Sequence, residues 1–405
     1  MKRSALHAGL AALLLHAGAA GAQELPPQFG RYMPLYPGLY FTGAYTRDDR
    51  DTSFDQDGRE VRTAAPQAGG HTSFPEQAYS GTFTWHFPMF ESYNVPFFSS
   101  RTHLARVTLR YADTQAKGAL ADFAADASDD SFTEADKLAN SGSGLGDVTL
   151  EFGSFLYGSP ASDWRTRKNS PFAVLALFGA TLPYGVYNRD APINAGSNTA
   201  AVHLNLGMHW QPWPGGFLEA GIGRREFFQN YDPQFGGLAP TNQGDEFSWD
   251  AGFGQRLYRG LYGSVFFTDR EGKANLYEDP RYAPNASDPP AGSSSDATPG
   301  VYHDRGTKLN ARGISLQYFV TQRWLAGLHY THPQRGRSGQ FLMPFTEHNP
   351  PGCIDGSTGC NSTPGEVILV DGLGPARSYS SNRLTLTVSY NFGQGDAFTC
   401  TGCEP

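Results

Sequence analysis

The chain has 405 residues and carries 31 Lys and Arg against 39 Asp and Glu, a formal net charge of −8. This acidic balance argues against a nucleic-acid-binding protein, which usually carries a basic face, so no nucleic-acid partner is expected. After residue 22 no apolar run approaches the ~20 residues that a membrane-spanning helix needs, and the mean hydropathy of −0.44 excludes a helical membrane protein.

The first 22 residues have the layout of a secretory signal peptide. Lys2 and Arg3 precede an Ala- and Leu-rich run, residues 5–22, which ends in the small-residue sequence AGA. A positive start, an apolar centre and small residues before a cleavage site are the three parts of such a signal. A retained membrane anchor is the weaker alternative, because the run is rich in Gly and Ala and contains two histidines.

Twelve segments alternate apolar and polar residues over about ten positions, which is typical of the strands of a membrane β-barrel. In the sixth, VHLNLGMHW, the apolar Val202, Leu204 and Leu206 alternate with His203 and Asn205. The fifth, FAVLALFGATL, is apolar on both faces, which leaves its orientation open. In chain order the segments are residues 38–46, 78–87, 104–112, 147–157, 172–182, 202–210, 217–225, 246–257, 261–268, 309–320, 324–332 and 384–392.

The connections between these segments alternate in length. Long connections rich in Asp, Ser, Pro, Gly and Asn follow the odd-numbered segments, and residues 269–308 and 333–383 are examples. The connections after the even-numbered segments are shorter, as in YRG and TQR. Long loops on one side and short turns on the other, with an even strand number, are the arrangement of outer-membrane barrels. A soluble β-sandwich or propeller would explain the alternation along each strand but not this asymmetry.

Aromatic residues near the segment ends also favour a barrel. Such positions fit an interfacial girdle at the membrane surface, and the residues concerned are Trp85, Phe87, Trp210, Trp213, Tyr258, Tyr262, Trp324 and Tyr390. We therefore predict an all-β fold, an antiparallel transmembrane β-barrel of about 12 strands with long extracellular loops and short periplasmic turns.

Three parts of the chain follow from this interpretation. Residues 1–22 are the signal peptide, residues 23–392 the outer-membrane β-barrel, and residues 393–405 a C-terminal tail. The last strand ends on Phe392, an alternating segment that resembles the signal read by the barrel-assembly machinery. We expect a protein of the Gram-negative outer membrane whose partners are lipid, lipopolysaccharide, that machinery and a small-molecule solute.

Charged residues within the strands are expected to face the lumen, because Arg or Lys at the lipid midplane costs about 2–4 kcal/mol. Arg312 is an exception: it shares a face with Ile314 and Leu316, so we expect it at a rim or beside a bulge. The simpler interpretation is that these charges pair with one another. The more specific interpretation is that some of them line a solute path and set its selectivity. The lumen candidates are Arg106, Arg110, Glu151, His203, His209, Glu219, Arg225, Glu246, Asp250 and Arg256.

Motifs of enzymes are not convincing in this sequence. The nearest pairing of a serine with a histidine, His71 and Ser73, lies in a Gly- and Pro-rich loop without an evident acid or oxyanion partner. His329 and His332 are three residues apart on a strand, which places them on opposite faces. The sequence contains no HExxH motif, phosphate-binding loop or dinucleotide fingerprint. We expect no enzymatic activity, no catalytic residue, no metal and no cofactor.

The four cysteines are candidates for disulfides. Cys353 and Cys360 lie in one long loop, and Cys400 and Cys403 follow the last strand. Because the loop and the C-terminus are expected on opposite sides of a hydrocarbon layer ~25 Å tall, pairing between the two sets is not expected. The first pair is expected to close a small ring in an oxidising compartment. For the second, a local disulfide or a disordered tail is favoured over a redox or metal motif.

Five segments in chain order carry a resemblance to a known family: PGLYF (Pro37–Phe41), SGLGDVTL (Ser143–Leu150), LPYG (Leu182–Gly185), NAGSNT (Asn194–Thr199) and GDEFSWDAGFGQRL (Gly244–Leu257). Together they resemble the MetA-pathway of phenol degradation family, outer-membrane transporters of Gram-negative bacteria. The Gly-Leu-Gly-Asp sequence is the most telling, since its glycines suit a tight entry to a strand and its Asp can bond backbone N–H groups. Two features depart from the family: its Pro-Thr-Gly is Pro-Tyr-Gly here, and 13 residues follow Phe392.

The resemblance implies movement of hydrophobic or aromatic compounds across the outer membrane. The leading functional hypothesis is therefore an outer-membrane channel or transporter for small, hydrophobic or aromatic solutes. A structural or adhesive surface barrel that acts through its long extracellular loops is the alternative. An outer-membrane hydrolase ranks third.

Overall fold

The computed structural model describes the strands of the chain and the connections close to them. The described residues are 38–49, 53–54, 60–61, 64–65, 70–73, 75–88, 102–115, 117–118, 141–158, 172–188, 194–232, 242–274, 276–278, 301–303, 306–321, 323–337, 342–346, 367–371 and 382–392. Within these ranges the regular structure is all β, and no helix has the length and apolar character that crossing a bilayer requires.

Twelve long strands form one closed antiparallel sheet, in which each strand pairs with its neighbours in the chain and β12 pairs with β1. The strands are β1 (Gly38–Asp48), β2 (Glu76–Pro88), β3 (Thr102–Gln115), β4 (Ser141–Leu145 and Val148–Tyr157), β5 (Phe172–Leu182), β6 (Ala201–Trp210), β7 (Gly216–Phe227), β8 (Glu246–Tyr258), β9 (Leu261–Gly272), β10 (Lys308–Phe319), β11 (Trp324–Arg337) and β12 (Arg383–Asn391). The predicted twelve-stranded barrel is confirmed.

Shorter strands lie within the long connections. They form hairpins or small sheets that are separate from the barrel wall: Ser53–Phe54 with Glu60–Val61; Ala64–Ala65, Gly70–Ser73 and Lys117–Gly118 as a three-stranded sheet; Leu276–Glu278 with Val301–His303; and Leu342–Thr346 with Val367–Asp371.

The seam between the first and the last strand is closed by side chains as well as by the backbone ladder. The hydroxyls of Thr42 and Ser389 are 2.9 Å apart, and the hydroxyls of Thr46 and Thr385 are 3.1 Å apart. These pairs lie on the inner face, directly across the β1–β12 register. The barrel therefore has no free strand edge at this junction, which a membrane-embedded sheet must avoid.

The burial pattern of the strands is the reverse of the pattern in a soluble sheet. On β6, His203 and Asn205 are 9% and 7% exposed, whereas Leu204 and Leu206 are 59% and 41% exposed. On β12, Thr385 is buried and Leu386 is exposed. A soluble antiparallel sheet buries its apolar face and wets its polar face. Polar residues inside and apolar residues outside are the arrangement of a transmembrane barrel.

Exposed aromatic rings surround the end of the barrel where the short turns lie. Trp85, Trp210, Tyr258 and Trp324 are all more than 40% exposed there, which is the predicted interfacial girdle. Tyr262 was wrongly assigned to this girdle. It lies on the inner face of β9, 2% exposed, because it falls in the same alternation as the buried residues of that strand.

At the opposite end, where the long loops lie, the outer face becomes charged. Arg224 and Lys273 bond the carboxylate of Asp245 at 3.1 and 3.0 Å, and the hydrogen bond from Lys273 holds the pKa of Asp245 below its usual range. Arg312 is exposed on the outer face, next to a shift in the β10–β11 register at Asn310 and Ala311. Charges therefore flank the apolar band on the side expected to be extracellular.

Candidate functional site

The inner face of the barrel is the candidate functional site, and the ten predicted lumen residues lie on it. Five of them occupy one row that crosses the wall from β3 to β8. In this row each residue is directly opposite the next across the strand register: Arg106, Glu151, Gly179, His203, Arg225 and Glu246. The row contains both signs of charge and one glycine.

Glu151 is the centre of the row. Its two carboxylate oxygens accept from Arg106 Nη1 at 3.0 Å and approach His203 Nε2 at 3.1 Å. Arg106 also donates to the hydroxyl of Thr84 at 3.3 Å. Gly179 makes the contact with His203 possible, because a Cβ on Gly179 would lie 2.3 Å from the imidazole ring. Glu151 therefore bonds Arg106 on the adjacent strand β3 and contacts His203 across the intervening strand β5.

A second buried pair lies closer to the short turns. His209 Nδ1 and Glu219 Oε1 are 2.8 Å apart, and both side chains are almost completely buried. Gln211 approaches the other ring nitrogen of His209 at 3.0 Å, and the ring of Phe217 stacks on the imidazole with centroids 5.9 Å apart. This pair is packed into the wall.

The remaining candidates are distributed along the inner face. Asp250 is buried opposite Gly221, and Arg256 is half-buried opposite Tyr262. Arg110, on β3, pairs with the carboxylate of Glu76.

Two buried ion pairs at the loop end involve residues that the sequence analysis did not select. Arg383 bonds Asp48 at 2.6 and 3.2 Å across the β1–β12 seam. Glu76, the partner of Arg110, is directly opposite Asp48 and also accepts from Thr114 at 3.3 Å. Asp48, Glu76 and Arg383 were missed because the alternating apolar pattern stops before these polar strand ends.

The charges are concentrated on one half of the inner face. On β3, β4 and β6 to β8 they occur at several heights, and on β9 Arg270 lies on the inner face near the loop end. On β10 to β12, β1 and β2, the described carboxylates and guanidinium groups of the inner face are those of Asp48, Glu76 and Arg383, all at the loop end. Below that level the wall carries hydroxyls, as on Thr385 and Thr387. The lumen therefore has a charged wall and an uncharged, hydroxyl-rich wall.

The apolar segment β5 contributes an inner patch near the turn end. Ala173, Leu175 and Leu177 face inward and pack with Leu104 and Phe155 as a buried cluster, while Phe178 is exposed on the outer face. This alternation settles the orientation that the sequence had left open.

Three of the sequence motifs meet at Asp147, in the break between the two parts of β4. Its Oδ1 accepts from the backbone N–H of Gly185 at 3.1 Å, and its Oδ2 accepts from the N–H and the hydroxyl of Ser197 at 2.9 and 2.5 Å. Gly185 and Gly196 are in such close contact that a Cβ on Gly185 would lie 2.5 Å from the Cα of Gly196. The carboxylate therefore ties the connection after β5 to β4.

Several predicted features lie outside the described residues. These are Cys353, Cys360, Cys400 and Cys403, the signal peptide and the tail. Among the residues that are described, no group of three His, Cys, Asp or Glu side chains could hold a metal ion.

Comparison with known families and structures gives one family match. Residues 50–289, more than half of the chain, match the model of a family described as the MetA-pathway of phenol degradation. None of the curated proteins matches the chain.

The fold is similar to that of a solved outer membrane protein, and two further solved structures are less similar. An outer membrane channel from Pseudomonas putida F1 is similar with a TM-score of 0.59 at 12% identity, covering 91% of this chain and 100% of that one. The NanC porin gives a TM-score of 0.36 at 10% identity, covering 87% and 98%. A FadL homologue of Pseudomonas aeruginosa gives 0.35 at 7% identity, covering 88% and 90%. The first of these likenesses shows the fold.

Proposed function

Since this chain belongs to the MetA-pathway of phenol degradation family, we propose that it is an outer-membrane channel for small hydrophobic or aromatic solutes. The observation that carries the proposal is the inverted barrel, with an apolar exposed outer face and a polar inner face. A closed barrel is the β-structure that satisfies its backbone hydrogen bonds within lipid. Its inner face is then the natural path for a solute.

The strand number supports a small solute. Barrel diameter grows with the number of strands, and twelve strands enclose less space than the sixteen to eighteen of a large porin. Aromatic and aliphatic side chains on the inner face, such as Phe155, Phe217, Phe266 and Leu175, offer apolar contacts. The family description, which refers to phenol degradation, agrees with aromatic cargo.

The proposed location is the outer membrane of a Gram-negative bacterium. Residues 1–22 direct export, the barrel-assembly machinery inserts the strands, and lipid contacts the exposed apolar band. Lipopolysaccharide contacts the charged outer rim around Arg224 and Lys273. The similar fold of an outer membrane channel supports this location. The proposal includes no chemical step, so it assigns no catalytic residue.

Uptake by cells tests the proposal. Phospholipid vesicles are a poor choice, because a phospholipid bilayer is itself permeable to apolar solutes, whereas a lipopolysaccharide leaflet resists them. A Gram-negative host without its own aromatic channels should therefore be given this protein, and the initial uptake of labelled toluene measured. Faster uptake than in cells with an empty vector is expected. Equal uptake, with the protein correctly assembled in the outer membrane, would reject the proposal.

A further inference from the structure

Three polar side chains lie next to one another on the inner face of β9, β10 and β11. Ser264 is directly opposite Ser315, and Ser315 is directly opposite His329. Directly opposed residues on antiparallel strands have Cβ atoms about 4.5–5.5 Å apart. The two hydroxyls and the imidazole therefore form one short row from β9 to β11, about a third of the way along the strands from the short-turn end.

Ser315 and His329 of this row are buried, Ser264 is partly buried, and all three retain unused hydrogen-bonding capacity. Ser315 and His329 are 3% and 1% exposed. Ser264 Oγ, Ser315 Oγ and His329 Nδ1 have no hydrogen-bond partner in the part of the chain that the structure describes. The other ring nitrogen of His329 lies 3.1 Å from the hydroxyl of Thr387. Buried polar groups without partners cost free energy and are uncommon in folded proteins, so three in one row indicate a site that a ligand completes.

Aromatic rings surround the polar row. Tyr262 and Phe266 lie on either side of Ser264 along the inner face of β9, and both are fully buried. Phe217, on β7, lies over Gly254, which is directly opposite Ser264: a Cβ on Gly254 would be 2.0 Å from the Phe217 ring. Three aromatic rings therefore lie at or over inner-face positions next to the row, as suits a ligand with an apolar body.

On the strands of the row, the inner-face positions next to Ser264, Ser315 and His329 carry no charged side chain, and Arg270 lies six residues from Ser264 along β9. The described inner-face neighbours on β10 to β12 are residues such as Gly313, Gln317, Gly327 and Thr385. The closest charged side chains of β8, Asp250 and Arg256, are opposite Thr268 and Tyr262 rather than the row itself. An ionised group at the row would be desolvated without a partner, which is unfavourable.

We propose that Ser264, Ser315 and His329 form a subsite for an uncharged small molecule that carries a hydroxyl or carbonyl group on a flat apolar body. Each serine hydroxyl can donate and accept, and His329 Nδ1 supplies one further donor or acceptor according to its tautomer. The polar group of the ligand lies at the row, and its body packs against Phe266, Tyr262 and Phe217. The inference rests on the proposed function only in that a solute reaches the lumen.

Binding to the purified protein in lipid nanodiscs tests the subsite independently of transport. The probes are benzyl alcohol, its hydroxyl-free analogue ethylbenzene, and benzoate as a charged analogue, with empty nanodiscs as the blank in calorimetry. The variant is the double substitution Ser264→Ala and Ser315→Ala. The matched control is Ser80→Ala with Thr82→Ala, which removes two inner-face hydroxyls from β2, outside the row.

The double variant at the row should weaken benzyl alcohol binding about tenfold and leave ethylbenzene unchanged, because only the alcohol uses the hydroxyls. The control should bind both probes as the wild type does, and benzoate should not compete. Since the replaced hydroxyls have no described partner, the variant should also be no less stable than the wild type. Unchanged benzyl alcohol affinity, absent binding to the wild type, or efficient competition by benzoate would each overturn the subsite. Binding without cellular uptake would instead reject the proposed transport and leave the subsite standing.

Discussion

A charge placed on the outer face of β6 should destabilise the protein strongly. Leu206 is 41% exposed and lies four residues from Trp210, a member of the aromatic girdle. With a rise of about 3.3 Å per residue and a strand tilt of about 40°, it lies roughly 10 Å above that girdle. This depth is close to the middle of an apolar band about 25 Å tall, where Arg costs about 2–4 kcal/mol.

The measurement is the free energy of unfolding of Leu206→Arg in phospholipid vesicles, by denaturant titration. Leu206→Ala is the reference, because it removes the apolar contacts without adding a charge. Against it, Leu206→Arg should lower the folding equilibrium constant about 30- to 1,000-fold. Phe228→Arg, at the exposed loop end, should cost only about 0–1 kcal/mol. If Leu206→Arg differed from Leu206→Ala by less than about 0.5 kcal/mol, as at an ordinary wet surface, the outer face would not meet lipid.

Three further substitutions test the inner-face and rim contacts. Arg383→Ala removes the guanidinium that bonds the buried carboxylate of Asp48. We expect a loss of about 3–5 kcal/mol, seen as a lower unfolding temperature on SDS gels, and recovery in the double variant with Asp48→Asn. An unchanged unfolding temperature would mean that the Arg383–Asp48 ion pair does not stabilise the junction of β1 and β12. Gly179→Ala would place a Cβ against the ring of His203. This overpacking should lower the free energy of unfolding, measured by denaturant titration, by about 1–3 kcal/mol. An unchanged free energy of unfolding would show that His203 moves aside without cost. Asp147→Ala leaves the backbone N–H groups of Gly185 and Ser197 without their carboxylate acceptor. Amide exchange of residues 183–188 should accelerate while the barrel strands stay protected. Unchanged exchange would show that Asp147 does not hold this connection against β4.

The strands and their faces could be predicted from the sequence because lipid imposes a simple rule on them. Each strand must present apolar side chains outward, so alternation such as that of residues 202–210 reports both the strand and its orientation. The same rule explains why Arg312, which breaks the alternation, lies beside an irregularity in the register. The Gly-Leu-Gly-Asp motif was also informative, since Asp147 does bond backbone N–H groups.

Other features could not be predicted from the sequence, because the residues of the inner face follow no single hydropathy pattern. It accepts apolar residues such as Leu175 and Tyr262 as readily as polar ones, so β5 could not be oriented and Tyr262 was placed in the wrong layer. Asp48 and Arg383 meet only when the barrel closes, and no local signal links residues so far apart in the chain. The partners of Asp147 likewise come from a connection that begins 36 residues later, at Pro183.

The passage of solute through the lumen is tested most directly by one large side chain placed on either face of the same strand. Gly207 lies on the buried inner face of β6 and Leu206 on the exposed outer face, so Gly207→Trp and Leu206→Trp differ in position by one residue. At equal amounts of assembled protein, the initial uptake of labelled toluene by cells should fall severalfold with Gly207→Trp and stay at the wild-type rate with Leu206→Trp. Equal uptake by both variants would show that the solute does not travel through the barrel.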